Sequence, residues 1–361
     1  MKKSDGRGLL SGSYANANRE LTRESWLAEV FPQWGNFLNQ QIETYQVPKG
    51  EVGIWWCGGS SWVLKTDEGG IFWIDMFSGG SGYTERSTCG VCRQSGAESI
   101  NWLTLNPNLI DPWKFKHLAG SFITHIHQDH CDIYSIKAAN QTNDAPFYGP
   151  KSVMTRLEEY EVDKSKRILT QVGDVIDIPG GRVRILPCYD DTAIRTGGGK
   201  ELLNYDDVCV CFLFETSGGN ILFMGDTWYN DGYAYFPQFF DIDVAIFDMG
   251  YNHPGATDKM TPYDAVRMGM ALDCKVMIPD HYDNLAYTAW EPHLITKQFE
   301  RIAEEMAPEI NTTIMQHGGM YQYPRDRYMK HYRYKNESQG VDLTRVPAYQ
   351  NLAAKFKAIK K

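Results

Sequence analysis

The amino-acid sequence predicts an α/β (α+β) fold in which two mixed β-sheets pack face to face and carry helices on their outer sides. Two observations support this prediction. Short apolar segments separated by glycine turns follow one another at Val52–Cys57, Trp62–Thr66 and Ile71–Asp75, which is typical of strands. Strands come first as a meander and then alternate with helices, and this order occurs twice along the sequence. Two sheets with helices outside accommodate such an order.

The remaining elements follow from the same patterns. Further strands are predicted at 121–124, 182–187, 208–215, 221–224, 244–247 and 276–279. Helices are predicted at 22–45, with an interruption near Pro32, and at 133–140, 262–272 and 292–306. The basic, tyrosine-rich segment 321–361 is expected to be either an interaction arm or a solvated helix.

The length of 361 residues suits one α/β domain with insertions. We expect that domain at 21–335, after a polar and partly disordered leader at 1–20 and before a basic tail at 336–361. Residues 78–110 are rich in glycine, serine and asparagine. A long irregular stretch of this kind is expected to form an insertion near the active site.

The net charge of −9 argues against nucleic acid or an anionic membrane as the main partner, because both require basic surface. A small anionic substrate needs only a local basic pocket. No segment approaches the ~20 continuous apolar residues of a membrane span. The first 20 residues have no apolar core of the signal-peptide type, so a cytoplasmic location is expected.

The eight cysteines agree with a reducing compartment, because six of them lie in apolar or strand-like segments where a reduced cysteine packs as a small hydrophobe. Cys89 and Cys92 have the spacing of a zinc knuckle or a redox pair. No second pair or nearby histidine completes a set of four ligands, so structural zinc is the less favoured alternative there.

The segment Thr124–Asp132 carries the clearest chemical signal, an HxHxDH motif directly after an apolar strand. His125 and His127 point the same way if the chain stays extended, because side chains alternate along a strand. Asp129 and His130 follow one turn later, within reach of a second ion. Imidazole and carboxylate together suit zinc, manganese or iron. The motif therefore predicts a dinuclear metal site.

Later strand ends supply the other ligands that two ions need. Asp226 follows a glycine at the end of the strand 221–224 and is expected to bridge the ions, although an Asp in this place could also cap the next helix. His281 follows the strand 276–279 in the same way. After Val183–Tyr189 the site needs a carboxylate; Asp190 is preferred and Asp191 is its rival.

Two further carboxylates are expected to support the ligands without binding metal. Asp75 ends the strand 71–75, and Asp132 ends the metal motif. A carboxylate that accepts the second N–H of a ligand imidazole fixes its tautomer and orientation.

The order HxHxDH, Gly-Asp and strand-end His resembles the metallo-β-lactamase superfamily. That resemblance implies an αββα sandwich with a dinuclear site at one edge of the sheets. Within it, residues 20–335 resemble the L-ascorbate-6-phosphate lactonase family, cytoplasmic enzymes of anaerobic ascorbate use. The matching segments are Thr22–Trp26, Trp55–Gly58, Asn106–Leu109, Thr124–Asp132, Pro146–Lys151, Tyr189–Ala193 and Thr257–Thr261. That family carries an Asp where most of the superfamily has its third His, which supports Asp190.

The resemblance has gaps that bear on substrate choice. Residues 78–105 do not match the family in detail, and Asp248 and His253 are additional residues near the presumed mouth of the site. A paralogue that acts on another sugar-acid lactone or a phosphate ester therefore stays an alternative.

The expected ligand set contains four histidines and three aspartates. One ion takes His125, His127 and Asp190, the other takes Asp129, His130 and His281, and Asp226 bridges them. This oxygen-rich set favours Mn²⁺, with Zn²⁺ possible, and the resemblance points to Mn²⁺ as well. Two neighbouring ions lower the pKa of a shared water, so hydroxide is expected to attack the lactone carbonyl. Asp129 is expected to orient that water or move its proton.

The expected reaction is hydrolysis of L-ascorbate 6-phosphate to 3-keto-L-gulonate 6-phosphate. Four residues are unranked candidates for binding the substrate phosphate: Lys65, Lys151, Arg195 and Lys259. A phosphodiesterase for RNA or cyclic nucleotides and a binding protein without catalysis are the alternatives. The acidic chain and the complete ligand set weigh against both. Aromatic residues such as Tyr332 and Tyr334 make a homo-oligomer possible.

Overall fold

Two seven-stranded mixed sheets form the centre of the molecule. The computed structural model describes residues 36–78, 109–197, 204–250, 259–283 and 292–331. The first sheet has the order β14-β1-β2-β3-β4-β5-β6. Its strands are β1 Val52–Gly58, β2 Ser61–Thr66, β3 Ile71–Ile74, β4 Gly120–Phe122, β5 Phe147–Gly149, β6 Arg167–Leu169 and β14 Met320–Tyr323.

The second sheet has the order β13-β12-β11-β10-β9-β8-β7. Its strands are β7 Val175–Ile178, β8 Gly181–Pro187, β9 Val210–Thr216, β10 Gly219–Phe223, β11 Val244–Asp248, β12 Val276–Asp280 and β13 Asn311–Thr312. The described α-helices are α1 Asn36–Thr44, α2 Ile133–Thr142, α3 Lys151–Glu159, α4 Asp191–Gly197, α5 Tyr205–Val208, α6 Pro262–Ala271 and α7 Pro292–Met306.

Each sheet is antiparallel on one side and parallel on the other. Strands β3 to β6 run parallel in the first sheet, and β10 to β13 run parallel in the second. The carboxyl ends of parallel strands meet at one edge, which is where open α/β sheets bind ligands. The loops after β4, β10 and β12 therefore leave the sheets at this edge.

The main core lies between the two sheets. Phe122 of the first sheet packs with ring-centroid distances of 5.2 Å against Phe212 and 5.0 Å against Phe214 of the second. A second apolar cluster, which includes Trp55 and Trp73, covers the outer face of the first sheet. Strand β1 is buried on both faces, which explains its continuous apolar sequence.

The predicted fold class is confirmed. Every predicted strand coincides with an observed strand to within two residues at each end. The prediction missed β5, β6, β7, β13 and β14 because these strands are short, partly exposed or far in sequence from their partners. The prediction for 321–361 was wrong at its start, since β14 pairs with β1 at the edge of the first sheet.

Some predictions concern residues that the structure does not describe. Most of the helix predicted at 22–45, nearly all of the insertion predicted at 78–110, the leader 1–20 and the tail 336–361 lie outside the described residues. Among the described residues, no helix combines the length and the apolar character that crossing a membrane requires.

Candidate metal centre

The HxHxDH segment leaves strand β4 and turns tightly at the sheet edge. The amides of His130 and Cys131 both donate to the carbonyl of His127, at 3.0 and 2.7 Å. This turn brings the imidazoles together: Nε2 of His125 lies 2.8 Å from Nδ1 of His127. His125 and His130 are almost fully buried, so their ring nitrogens face other protein groups and not bulk water.

Six of the seven predicted ligands fall into two clusters. In each cluster the nitrogen or oxygen atoms lie within 4.8 Å of one another; the clusters are His125, His127 and Asp226, and Asp129, His130 and His281. The second cluster is the set that the sequence assigned to the second ion. In the first, Asp226 is present where the sequence assigned Asp190.

Asp226 lies between the two clusters. Its Oδ1 atom is 3.2 Å from Nε2 of His130 and 3.3 Å from Nε2 of His281. Gly225 makes this position accessible, because its φ of +60° suits glycine and because a Cβ there would lie 2.6 Å from Oγ1 of Thr124. The loop after β10 therefore approaches the HxHxDH loop closely, and Asp226 faces residues of both clusters.

His281 reaches the site from the end of β12 in a left-handed backbone conformation, with φ of +62°. Its amide donates to the carbonyl of Gly59 at 3.1 Å, and its Nε2 lies 3.1 Å from Oδ2 of Asp129. A residue other than glycine costs about 1–3 kcal/mol in such a sparsely populated conformation. The strained residue, His281, is therefore one of the residues of the second cluster.

Asp190, and not Asp191, is directed at the site. Oδ2 of buried Asp190 lies 3.6 Å from Nε2 of His125, while Oδ1 accepts the amide of Ala193 at 2.7 Å. Asp191 is the first residue of α4 and lies 3.4 Å from the hydroxyl of Tyr205. The preference for Asp190 over its neighbour thus agrees with the geometry.

The two predicted supporting carboxylates differ in role. Asp75 accepts Nδ1–H of His130 at 2.8 Å, which is the orienting contact expected. The prediction for Asp132 was wrong: its side chain caps α2 by accepting the amide of Ser135 at 2.8 Å, and it also accepts the amide of Ser78 at 3.0 Å. A carboxylate directly before a helix is well placed for capping.

The donor atoms fit divalent cations. Nε2 of His130 and Nε2 of His281 are buried and lie 3.2 and 3.3 Å from Oδ1 of Asp226, but none of these three atoms makes a hydrogen bond of good geometry. Buried polar atoms that are poorly paired cost about 1–3 kcal/mol each without compensation. Two donors bound to one cation at about 2.1 Å lie about 3.0–3.4 Å apart. The separations of 3.2 and 3.3 Å fall in that range, and imidazole with carboxylate suits Mn²⁺ or Zn²⁺.

Comparison with known proteins agrees with this geometry. The family model described as "Beta-lactamase superfamily domain" matches residues 99–282. Proteins named "Probable L-ascorbate-6-phosphate lactonase UlaG" from Shigella boydii serotype 4 and from Escherichia coli are 32% identical over 334 residues, which cover 88% of this chain and 93% of theirs. The chain belongs to the L-ascorbate-6-phosphate lactonase family. With these relatives and this fold, it is a metallo-β-lactamase-fold hydrolase.

Solved structures share the fold of this lactonase-family chain at low sequence identity. The metallo hydrolase Igni18 from Ignicoccus hospitalis is 17% identical with a TM-score of 0.52, covering 76% of this chain and 98% of that one. An isothiocyanate hydrolase from Delia radicum gut bacteria is 14% identical with a TM-score of 0.53, covering 74% and 98%. These likenesses support the sandwich architecture alone.

Burial and mutual charge govern the ionisation of the lactonase-family site. Burial opposes charge on Asp226, but His281, Lys259 and His130 outweigh it and hold its pKa well below the usual range. Burial likewise opposes protonation of His130, yet Asp226, Asp75 and Asp129 raise its pKa well above 6.5. A pocket that attracts a proton this strongly also attracts a metal cation, and bound metal displaces the proton.

The four phosphate-binding candidates lie in different places. The proposal of Lys65 as a phosphate-binding residue was wrong, because its buried ammonium donates to the carbonyls of Ile42 and Glu43 near the end of α1. Lys151 is exposed on α3, 3.9 Å from Asp207. The side chain of Arg195 lies outside the described residues. Lys259 is buried in contact with Asp226.

Asp248 and His253 are the two additional residues proposed near the mouth. His253 lies outside the described residues, and so do Cys89 and Cys92, the pair with the spacing of a zinc knuckle or a redox pair. Asp248 ends β11 and is fully buried, with Oδ1 accepting the amide of Thr227 at 3.1 Å. It therefore lies beneath Asp226 and not at the mouth.

Sequence reasoning missed two carboxylates beside His281. Asp280 accepts Nε1–H of Trp62 at 2.7 Å, and burial raises its pKa to about 7. Asp283 accepts the amide of Gly59 and pairs with His317. The run Asp280–Asp283 directly after an apolar strand was the available signal, since three of its four residues carry side chains that bind metals or protons.

Proposed function

We propose that the chain hydrolyses L-ascorbate 6-phosphate to 3-keto-L-gulonate 6-phosphate, using two divalent cations. The observation that carries the proposal is the gathering of seven His and Asp side chains at one sheet edge in a chain whose near full-length relatives bear the lactonase name. The opening of a lactone requires a strong nucleophile and stabilisation of a developing oxyanion. Two bound cations supply both by activating water and polarising the carbonyl.

The side chains of the chain have distinct tasks in this proposal. His125, His127 and Asp190 would hold one cation, and Asp226 would be shared between both. The roles of His130 and His281 follow from their orphaned Nε2 atoms, which face Asp226. These groups bind and orient; none of them needs to change partner during the reaction.

Asp129 is the residue that moves a proton. Its side chain is 11% exposed, compared with 3% for Asp226 and 1% for Asp190. The more exposed carboxylate is the one that solvent and substrate reach. Asp129 thus holds the attacking water through a hydrogen bond and passes its proton toward the departing ring oxygen.

Mn²⁺ is the proposed metal, with Zn²⁺ as the alternative. Three aspartates in the ligand set make it richer in oxygen than a set of histidines alone, and carboxylate oxygen suits Mn²⁺ while imidazole suits Zn²⁺ as well. Lys151 and Arg195 stay as candidates for the substrate phosphate.

The proposal includes a cytoplasmic location and a small phosphorylated sugar lactone as the partner, rather than nucleic acid or membrane. A phosphorylated sugar carries charge that does not cross a lipid bilayer unaided, because transfer of charge into an apolar medium is very costly. An enzyme for this substrate is therefore expected inside the cell. Self-association into a homo-oligomer is also proposed.

The decisive experiment incubates purified protein with L-ascorbate 6-phosphate in the presence of Mn²⁺ or Zn²⁺. We expect loss of the ultraviolet absorbance of the ene-diol and a product heavier by one water. Asp226→Asn is the matched control without activity. Parallel reactions with unphosphorylated L-ascorbate, other sugar-acid lactones and bis-p-nitrophenyl phosphate test the alternatives. Cleavage of the phosphate diester without lactone opening would overturn the proposal and favour a phosphodiesterase.

A further inference from the structure

A buried lysine contacts the carboxylate shared by the two ligand clusters. Nζ of Lys259 pairs with Oδ2 of Asp226, and the lysine side chain is 1% exposed. Gly250 makes room for it: a Cβ at Gly250 would lie 3.1 Å from Cγ of Lys259. A lysine this buried normally needs a charged partner, so the pair with Asp226 explains why the chain tolerates it.

The two oxygens of Asp226 are divided between different partners. Oδ1 faces Nε2 of His130 and Nε2 of His281 at 3.2 and 3.3 Å, whereas Oδ2 contacts the ammonium of Lys259. One oxygen is therefore directed at the cations and the other at a fixed positive charge. The carboxylate cannot rotate without losing the lysine.

The lysine also changes the charge of the centre. Three ligand carboxylates, Asp129, Asp190 and Asp226, leave two divalent cations with a surplus of one positive charge. Lys259 doubles that surplus from a position in direct contact with a ligand. Like charges that are separated by a few ångströms in a poorly solvated site repel one another strongly. The ammonium therefore repels the cations and attracts an anionic substrate.

We propose that Lys259 is a positioning residue of the metal centre that acts through Asp226. Its ammonium holds Oδ2 of Asp226 in place and thereby leaves Oδ1 for the cations. Its charge weakens cation binding and keeps the centre positive toward an anionic substrate. This inference rests on the proposed function for its substrate, but its effect on metal binding is independent of the lactone.

The test measures metal binding by chelator-stripped protein that is titrated with Mn²⁺ or Zn²⁺ against a fluorescent competing chelator. Lys259→Met removes the charge and keeps the chain length. We expect its metal dissociation constant to fall about ten-fold or more, because the repulsion is lost. Lys259→Arg keeps the charge and is expected to stay within about three-fold of the wild type. An unchanged or higher dissociation constant in Lys259→Met overturns the proposal.

A second neutral variant guards against a folding defect. Lys259→Gln keeps a hydrogen-bond donor for Asp226 and is expected to bind metal as tightly as Lys259→Met. Lys275→Met is the matched control: it breaks another Lys–Asp pair, with Nζ 2.6 Å from Oδ1 of Asp243, outside the metal centre. Its metal affinity is expected to equal the wild type. If Lys259→Gln binds metal no more tightly than Lys275→Met, the inference fails.

The metal titration also separates this inference from the proposed function. If the wild type binds metal and Lys259→Gln binds it more tightly, the inference stands even where no lactone is opened. Where the lactone is opened, the neutral variants are expected to raise KM for the phosphorylated substrate more than they lower kcat, and Lys259→Arg is expected to restore KM. An unchanged KM would contradict the electrostatic role toward substrate.

Discussion

Asp75 holds two histidines of the HxHxDH motif at once. Its Oδ2 accepts Nδ1–H of His130 at 2.8 Å. Both the amide and the hydroxyl of Thr124 donate to the same carboxylate, at 2.8 and 2.6 Å. The hydroxyl of Thr124 lies 3.0 Å from Nδ1 of His125, so it can accept that N–H. One carboxylate thus fixes the tautomers of His130 directly and His125 through a hydroxyl, leaving both Nε2 atoms for metal.

Asp75→Asn is expected to weaken metal binding by about 10–100-fold, the usual effect of losing a carboxylate that orients a ligand histidine. Asparagine keeps the shape and tolerates the left-handed conformation of this residue, which has φ of +48°. Its amide presents N–H groups where three donors converge. The measurement is metal content after dialysis, together with titration of the stripped protein.

Asp132→Asn is the matched control, because it changes another buried carboxylate, at the end of the metal motif, that caps α2 instead. Its metal affinity is expected to stay at the wild-type level. Its free energy of unfolding is expected to fall by at most about 1 kcal/mol, because asparagine also caps helices. Equal metal loss in the two variants would contradict the orienting role of Asp75.

His127→Ala and Asp226→Asn are each expected to abolish turnover of the lactone and leave the fold largely intact. Both side chains lie at the sheet edge, and neither belongs to the apolar clusters that hold the sheets together. Lactone opening is measured alongside far- and near-ultraviolet circular dichroism. A full rate in either variant would refute the assignment of these residues to the centre.

Removal of metal is expected to lower both activity and stability. The stripped protein lacks the cations that the buried donor atoms of His130, His281 and Asp226 fit. A ligand that binds only the folded state at 100 times its dissociation constant adds about 2.7 kcal/mol of stability. Thermal unfolding of the stripped protein, with and without Mn²⁺ or Zn²⁺, checks this prediction. Magnesium at equal concentration is the control, since Mg²⁺ prefers oxygen ligands and binds this site weakly. An unchanged midpoint with Mn²⁺ and Zn²⁺ would contradict it.

Much of the site was predictable because its ligands follow apolar strands in sequence. The HxHxDH motif, Asp226 and His281 each stand directly after such a strand, and parallel strands bring those ends to one edge. The sequence alone left Asp191 as a rival to Asp190, because adjacent residues share the same strand end.

The parts that could not be predicted depend on contacts between distant segments. Lys259 and Lys65 were equal candidates for the substrate phosphate, yet one pairs with Asp226 and the other with carbonyls near the end of α1. In each case the lysine meets its partner only because the fold packs another segment of the chain against it. Asp132 is a similar case: capping and imidazole orientation require the same residue type, and only the direction of the side chain distinguishes them. Strand β14 was missed because its partner β1 lies far away in sequence.

Gly225→Ala is expected to damage the metal centre more than the fold. Alanine adds a Cβ only 2.6 Å from Oγ1 of Thr124 at a φ of +60°, so the loop that carries Asp226 must move away from the HxHxDH loop. Gly50→Ala is the matched control, because Gly50 has φ of +77° and nothing within 4 Å of the added Cβ. Both variants bear the backbone strain of about 1 kcal/mol; only Gly225→Ala also separates the ligands. Metal titration of the two stripped variants measures the difference, with at least about ten-fold weaker binding expected for Gly225→Ala. Equal affinities would show that the close approach of the two loops does not determine the position of Asp226.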